Sequence, residues 1–285
     1  MLDKLKIYLV LMRFNRPIGI FLLLWPTLWA LWLAAEGTPD LFILVIFISG
    51  VVLMRAAGCV INDFADRKID LHIERTKDRP LTSGKVTKKE TLILFFVLVA
   101  IAFLLVLLLN KLTLYLSFAA LALASIYPFM KRHTHLPQVV LGMAFASSVP
   151  MAYAAQTNSI PKEAWLIYVL TVVWTVIYDT MYAMVDREDD LKIGVKSTAI
   201  LFGDADKIIL AFSQVLLVFG FLLLGSELNL NLYYYIGLAV ASCFFVYQQY
   251  LIKNREKSLC LKAFLNNNWF GLSIYLGILG NYIFS

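Results

Sequence analysis

Asn62, Asp66 and Asp70 stand at i, i+4 and i+8, and Tyr182, Asp186 and Asp190 repeat that spacing 120 residues later, a degenerate internal repeat. Asp63 lies inside the first cluster and Asp179 opens the second. On an α-helix a step of four residues advances about 40°, so three such positions form one stripe roughly 12 Å long whose carboxylates face the same way. Like charges at that spacing repel by about 0.2–0.5 kcal/mol, and ionisable groups at a membrane boundary cost more unless a partner neutralises them. A hard divalent cation between the clusters relieves both costs. Carboxylate and amide oxygens are the ligands magnesium prefers, and magnesium commonly keeps waters while bridging to phosphate oxygens. The three histidines, His72, His133 and His135, fall in basic segments and are too few beside the clusters for a zinc or iron site. The alternative is a solvated acidic face neutralised by Arg67, Lys68, Arg187 and Lys192. Two clusters of equal spacing, each ending an apolar stretch on the same side, favour the metal-diphosphate reading.

The elements that carry these residues are membrane helices. Of 285 residues 61% are hydrophobic and only 15% charged, against about a quarter charged in soluble domains. Apolar runs long enough to cross the roughly 30 Å hydrocarbon layer recur along almost the whole length. They predict an all-α, polytopic membrane protein with nine spans, near 15–35, 41–61, 91–109, 113–129, 137–155, 164–183, 207–225, 231–251 and 267–284. No separate soluble domain fits between them, so residues 1–285 read as a single integral-membrane domain. The first span is too long for a signal peptide and opens on Arg16-Pro17, so it reads as a retained helix.

Orientation follows Lys and Arg in the connecting segments. Of the 25, 22 fall on one side of the predicted topology, only Lys111 and Lys162 on the other, and Arg55 inside the second span. The amino terminus and both acidic clusters are therefore expected at the cytoplasmic face, where a basic surface also suits anionic membrane lipid. These positives belong to membrane loops with no accompanying binding motif, so no nucleic-acid partner is expected. Cys59, Cys243 and Cys260 lie in different segments without CxxC spacing and support neither disulfides nor zinc.

The clusters and their surroundings resemble the intramembrane aromatic prenyltransferases. The family's first motif, NxxxDxxxD, reads Asn62, Asp66 and Asp70, and its second, DxxYxxxDxxxD, reads Asp179, Tyr182, Asp186 and Asp190. Arg55-Ala56-Ala57-Gly58-Cys59 leads into the first, Arg75-Thr76 and Arg79-Pro80-Leu81 follow it, and Tyr127-Pro128 precedes Lys131-Arg132. Along essentially the full length the chain is similar to the branch that prenylates 4-hydroxybenzoate in bacterial ubiquinone synthesis. The resemblance implies a nine-transmembrane-helix bundle around a central cavity in the bacterial inner membrane, magnesium dependence, and a polyprenyl diphosphate and a small aromatic acceptor as substrates. Other aromatic acceptors of the same family, and from another class an ion-coupled secondary transporter, remain open at the level of sequence.

Under that resemblance the chemistry is cleavage of an allylic carbon–oxygen bond followed by attack of the aromatic ring. Asn62, Asp66, Asp70, Asp186 and Asp190 are the expected Mg2+ ligands, with Asp66, Asp70, Asp186, Asp190 and Tyr182 as the catalytic set. Asp63 and Asp179 are expected to support them, and Arg67, Lys68, Lys131 and Arg132 to bind phosphate oxygens through charge-assisted hydrogen bonds. The acceptor carboxylate needs a separate cation, for which Arg16 is the first candidate and Arg132 the second. Trp25, Trp29, Trp32, Phe145, Tyr153 and Trp174 are candidates for the tail channel, with helix packing the commoner role for any one of them. The polar segments 71–90 and 191–206 are candidate lids.

Overall fold

A computed structural model describes residues 2–67, 70–72 and 76–284, without the side chains of residues 2, 3 and 72. In chain order the helices are α1 (Leu2–Leu11), α2 (Ile18–Ala34), α3 (Leu41–Asp66), α4 (Lys88–Val106), α5 (Lys111–Met130), α6 (Pro137–Ala146) and α7 (Ser148–Thr157). They continue as α8 (Lys162–Ile193), α9 (Thr198–Phe202), α10 (Asp206–Glu227), α11 (Leu232–Ile252) and α12 (Lys257–Ile283), and a 3-10 turn covers Asp70–His72. Among the described residues there is no strand. In hydrocarbon only a helix satisfies its own backbone polar groups without a closed barrel, which is why an apolar chain of this kind folds this way.

Among the described residues, seven helical stretches are long and apolar enough to cross a membrane: α3, α4, α5, residues 137–157, α8, residues 198–227 and α11. The chain is a multi-pass membrane protein. The remaining expected spans fall on α2, which has only 17 residues, and on α12, whose 27 residues include Lys257, Lys262 and three consecutive asparagines. Nine is thus an approximate count. Large apolar side chains such as Phe96, Phe212, Phe219 and Val246 are exposed along the outer faces, as a lipid-facing surface requires.

Helix ends are fixed locally. Asp40 accepts from the Ile43 amide at the start of α3, Thr87 and Glu90 form a reciprocal capping box on α4, and Asn110 accepts from the Thr113 amide on α5. The fifth predicted span is broken between α6 and α7, because Pro150 has no N–H for the Ala146 carbonyl. Gly194, in the left-handed region at φ 71°, ends α8.

The core lies on the α2, α8, α10, α11 and α12 side. Trp29 packs against Trp174 at 5.2 Å and against Phe221 at 5.5 Å, and Phe270 stacks on Phe245 at 4.3 Å. The two indole N–H groups donate to the Gly271 carbonyl and to Asn267 Oδ1, both at 3.0 Å. Trp29, Tyr153 and Trp174 are therefore packing residues, whereas Phe145 lines a cavity. This rigid half supports α8, the helix that presents the second motif.

Candidate active site

The two motifs meet. Asn62, Asp66 and Asp70 from the α3 end, and Asp179, Tyr182, Asp186 and Asp190 from α8, line one small cavity of about 140 Å³. Its remaining wall includes Tyr127 of α5, Lys131 just after that helix, Arg79, and Lys196.

The second motif keeps its expected helical stripe, since residues 179–190 all lie within α8. The first does not. Helix α3 stops at Asp66, and Asp70 sits in the separate 3-10 turn. Arg79 bridges Asp63 at 2.9 Å and Asp70 at 2.7 Å, tying the 3-10 turn to the end of α3. The Asp70 backbone carbonyl also accepts from Thr76 Oγ1 at 3.0 Å. Burial lifts the Asp70 carboxyl above its ordinary pKa, with Arg79 opposing the shift and Asp66 and Asp63 reinforcing it.

Each buried acid of the first motif has a basic partner. Arg13, in the left-handed region at φ 63°, donates to both oxygens of Asp63 at 3.1 and 3.3 Å. Lys131 Nζ lies 2.5 Å from Asp66 Oδ2. The other oxygen, Asp66 Oδ1, is buried with no hydrogen-bond partner among the described residues.

Above this pocket, between α2, α3, α5 and α6, lies a much larger cavity of about 850 Å³ with mostly apolar walls. Asn62, Arg79, Tyr127, Asp179 and Tyr182 line both spaces and form a throat between them. Among the described residues, one basic side chain lines the large cavity from inside a membrane span: Arg55, on α3, with its guanidinium 6.0 Å from the centre of the Phe145 ring. An arginine at the centre of a membrane helix costs roughly 2.5–3.5 kcal/mol, and such residues mark functional sites.

The expected cations divide into two groups. Lys131 is in the small cavity, and Arg16 lies exposed on the rim of the large one. Arg67 and Arg132 line neither: Arg67 donates to the Phe64 carbonyl and Arg132 to the Ala65 carbonyl, each at 2.5 Å, both capping the end of α3. Lys68 lies outside the described residues, as does Arg75. The segment 191–206 is not a free loop. Val195, Lys196 and Ser197 form cavity wall, and the Lys196 amide donates to the Lys131 carbonyl at 3.1 Å. Sequence reasoning passed over Arg55, Arg79, Lys196 and Tyr127 as site residues. Arg55 had a signal, being a lone charge in an apolar run, but the others depend on chain returns that no local pattern encodes.

The donor set fits a hard divalent cation. It is all oxygen, and Asp66 Oδ1 is a buried carboxylate oxygen with no hydrogen-bond partner among the described residues. Among the described residues no three Asp, Glu, His or Cys side chains gather closely enough to chelate a metal alone.

The profile of the UbiA prenyltransferase family matches residues 23–273. A 4-hydroxybenzoate octaprenyltransferase of Hahella chejuensis is 60% identical over 281 residues, covering 99% of this chain and 94% of that relative. One from Psychromonas ingrahamii is 58% identical over 281 residues, covering 99% and 98%. Among solved structures, the apo form of a UbiA homolog from Aeropyrum pernix K1 superposes with a TM-score of 0.81 at 27% identity, covering 92% of this chain and 96% of that one. A UbiA homolog from Archaeoglobus fulgidus bound to GPP and Mg2+ shares the fold at a TM-score of 0.72 and 18% identity, covering 96% and 99%.

Proposed function

The chain belongs to the UbiA prenyltransferase family, and on that premise we propose that it moves a polyprenyl group from polyprenyl diphosphate to the ring carbon ortho to the hydroxyl of 4-hydroxybenzoate. The products are 3-polyprenyl-4-hydroxybenzoate and diphosphate. The reading treats residues 1–285 as one integral-membrane domain in the bacterial inner membrane, with its acidic pocket at the cytoplasmic face. The observation that carries it is the throat, where a small acidic pocket opens onto a large apolar cavity. The reaction needs that juxtaposition, because its substrate joins a highly charged diphosphate to a hydrocarbon chain.

Asn62, Asp66, Asp70, Asp186 and Asp190 would hold Mg2+ with the diphosphate. Bound there, the ion neutralises charge on the phosphate oxygens as the allylic bond breaks. Lys131 and Lys196 line the same pocket and supply charge-assisted hydrogen bonds to those oxygens. The bonding pair leaves with the diphosphate, and the first isoprene unit sits in the throat. There Tyr127 and Tyr182 shield the allylic cation from water and present ring faces to it. The acceptor's ortho carbon supplies the new carbon–carbon bond, and its proton passes to a carboxylate or phosphate oxygen at the throat. Arg55 is the cation for the acceptor carboxylate: it lines the apolar cavity and not the small acidic one, and its planar fork takes a carboxylate in two parallel bonds. Arg16, at the rim, is the entry-side cation.

Purified protein incubated with Mg2+, a polyprenyl diphosphate and a panel of aromatic acids tests this by mass spectrometry. The expected product is the C-prenylated 4-hydroxybenzoate. Prenylation of a different acceptor in preference, or of none, overturns the reading.

A further inference from the structure

We propose that Gly19 is a specificity-determining residue: its missing side chain seats the Arg55 guanidinium where it selects acceptors that carry a carboxylate. The inference rests on Arg55 as the acceptor cation.

Gly19 is buried on α2, in the wall of the large cavity. A Cβ built there would overlap the Arg55 head group, lying 2.5 Å from Cζ and closer still to Nε and one terminal nitrogen. Of all the glycines, Gly19 alone faces a charged side chain. Gly271 abuts Trp25 and Trp174, Gly142 abuts the Val172 backbone, and Gly50 and Gly58, which line the same cavity from α3, face open space. The guanidinium therefore packs directly against the α2 backbone at Gly19, with the Phe145 ring centre 6.0 Å from Cζ. Seated against Gly19, the guanidinium lines the large cavity. An aromatic acid whose carboxylate docks there presents its phenol end at a fixed distance, toward the throat. A guanidinium displaced from that seat would still be charged but would no longer set that distance.

Conformational freedom does not explain this glycine. Gly19 is helical, and alanine is the better residue in a helix, so fold stability alone favours Gly19→Ala. The overlapping atoms are the far end of a flexible side chain, so the substitution moves Arg55 rather than the helix.

The test is steady-state kinetics of Gly19→Ala with 4-hydroxybenzoate and with its neutral analogue 4-hydroxybenzamide, using Ser125→Ala, exposed on α5 and outside both cavities, as the control. Gly19→Ala is expected to raise KM for 4-hydroxybenzoate by about tenfold or more, the scale of one charge-assisted hydrogen bond. KM for the prenyl diphosphate should stay within about twofold, below the effect of one lost hydrogen bond. The preference for acid over amide should shrink by a similar factor of about ten, and Ser125→Ala should behave as wild type. An equal fall in kcat/KM for acid and amide, or an unchanged KM for the acid, overturns the inference. If Arg55→Ala loses the acid preference and Gly19→Ala keeps it, only the role of Gly19 fails. If wild type prenylates no hydroxybenzoate, the proposed function fails with it.

Discussion

A buried carboxylate oxygen left without a partner, as Asp66 Oδ1 is, destabilises a site by about 1–3 kcal/mol until a donor or a cation completes it. Asp66→Asn removes the charge that demands completion and keeps the shape. It should cut turnover by about 100-fold or more, the scale of losing one electrostatic stabiliser of the departing group, with folding and membrane insertion retained. Asp186→Asn should do the same from the α8 side, and near-wild-type turnover of both at saturating Mg2+ would remove the metal from the mechanism. For the acceptor, Arg55→Ala should raise the apparent KM for 4-hydroxybenzoate by about tenfold or more, whereas Arg16→Ala should change it by only a few-fold, because rim charges are solvated. The reverse order in acceptor titrations would return the carboxylate to Arg16. The motif acids were legible in the sequence because side-chain type and a step of four residues are local properties. The bridge from Arg79 to Asp63 and Asp70 was not, since it exists only where the turn after α3 folds back.

At the scale of elements, α8 is the rail on which the second motif rides. Its 32 residues extend about 48 Å, well past the roughly 30 Å hydrocarbon layer, so Asp186 and Asp190 stand in its protruding turns. Those turns are tied down from two sides. Arg187 reaches the fully buried Asp206 of α10 at 3.3 Å, Asp206 also takes Arg255 at 2.7 and 2.9 Å, and Lys257 of α12 meets Glu188 at 2.8 Å. Asp206→Asn leaves two guanidinium groups facing an amide. It should cost about 2 kcal/mol, less than a wholly buried pair because both arginines are partly solvated. A thermal-shift measurement in detergent should show a clearly lowered midpoint, and an unchanged midpoint would mean that the clasp holds nothing. Helix α8 was readable from its apolar run, but its neighbours were not, because helix pairing depends on shape between distant segments. The split between α6 and α7 was likewise missed, although Pro150 was there to mark it.

For the whole molecule, the strongest expectation drawn from composition alone is orientation. With 22 of 25 basic residues on one side, Cys introduced at the exposed Ser83 should be closed to a periplasmic thiol reagent in intact cells, and Cys at the exposed Lys111 open to it. The opposite pattern would invert the protein and move the acidic pocket to the outer face. The succession of spans was legible because hydrophobic length is set by the bilayer, whereas a central cavity was expected only from the family resemblance, and its division into an acidic and an apolar space was not, being set by how distant helices pack. The throat lined by Asn62, Arg79, Tyr127, Asp179 and Tyr182 makes the protein a valve between two solvents. Diphosphate can depart toward water while the prenylated ring, now anchored by its tail, partitions toward oil. The two products thus exit by different phases and do not compete for one route. Turnover in micelles should therefore track the mole fraction of prenyl substrate in the detergent rather than its bulk concentration, and added detergent should slow the reaction by surface dilution alone.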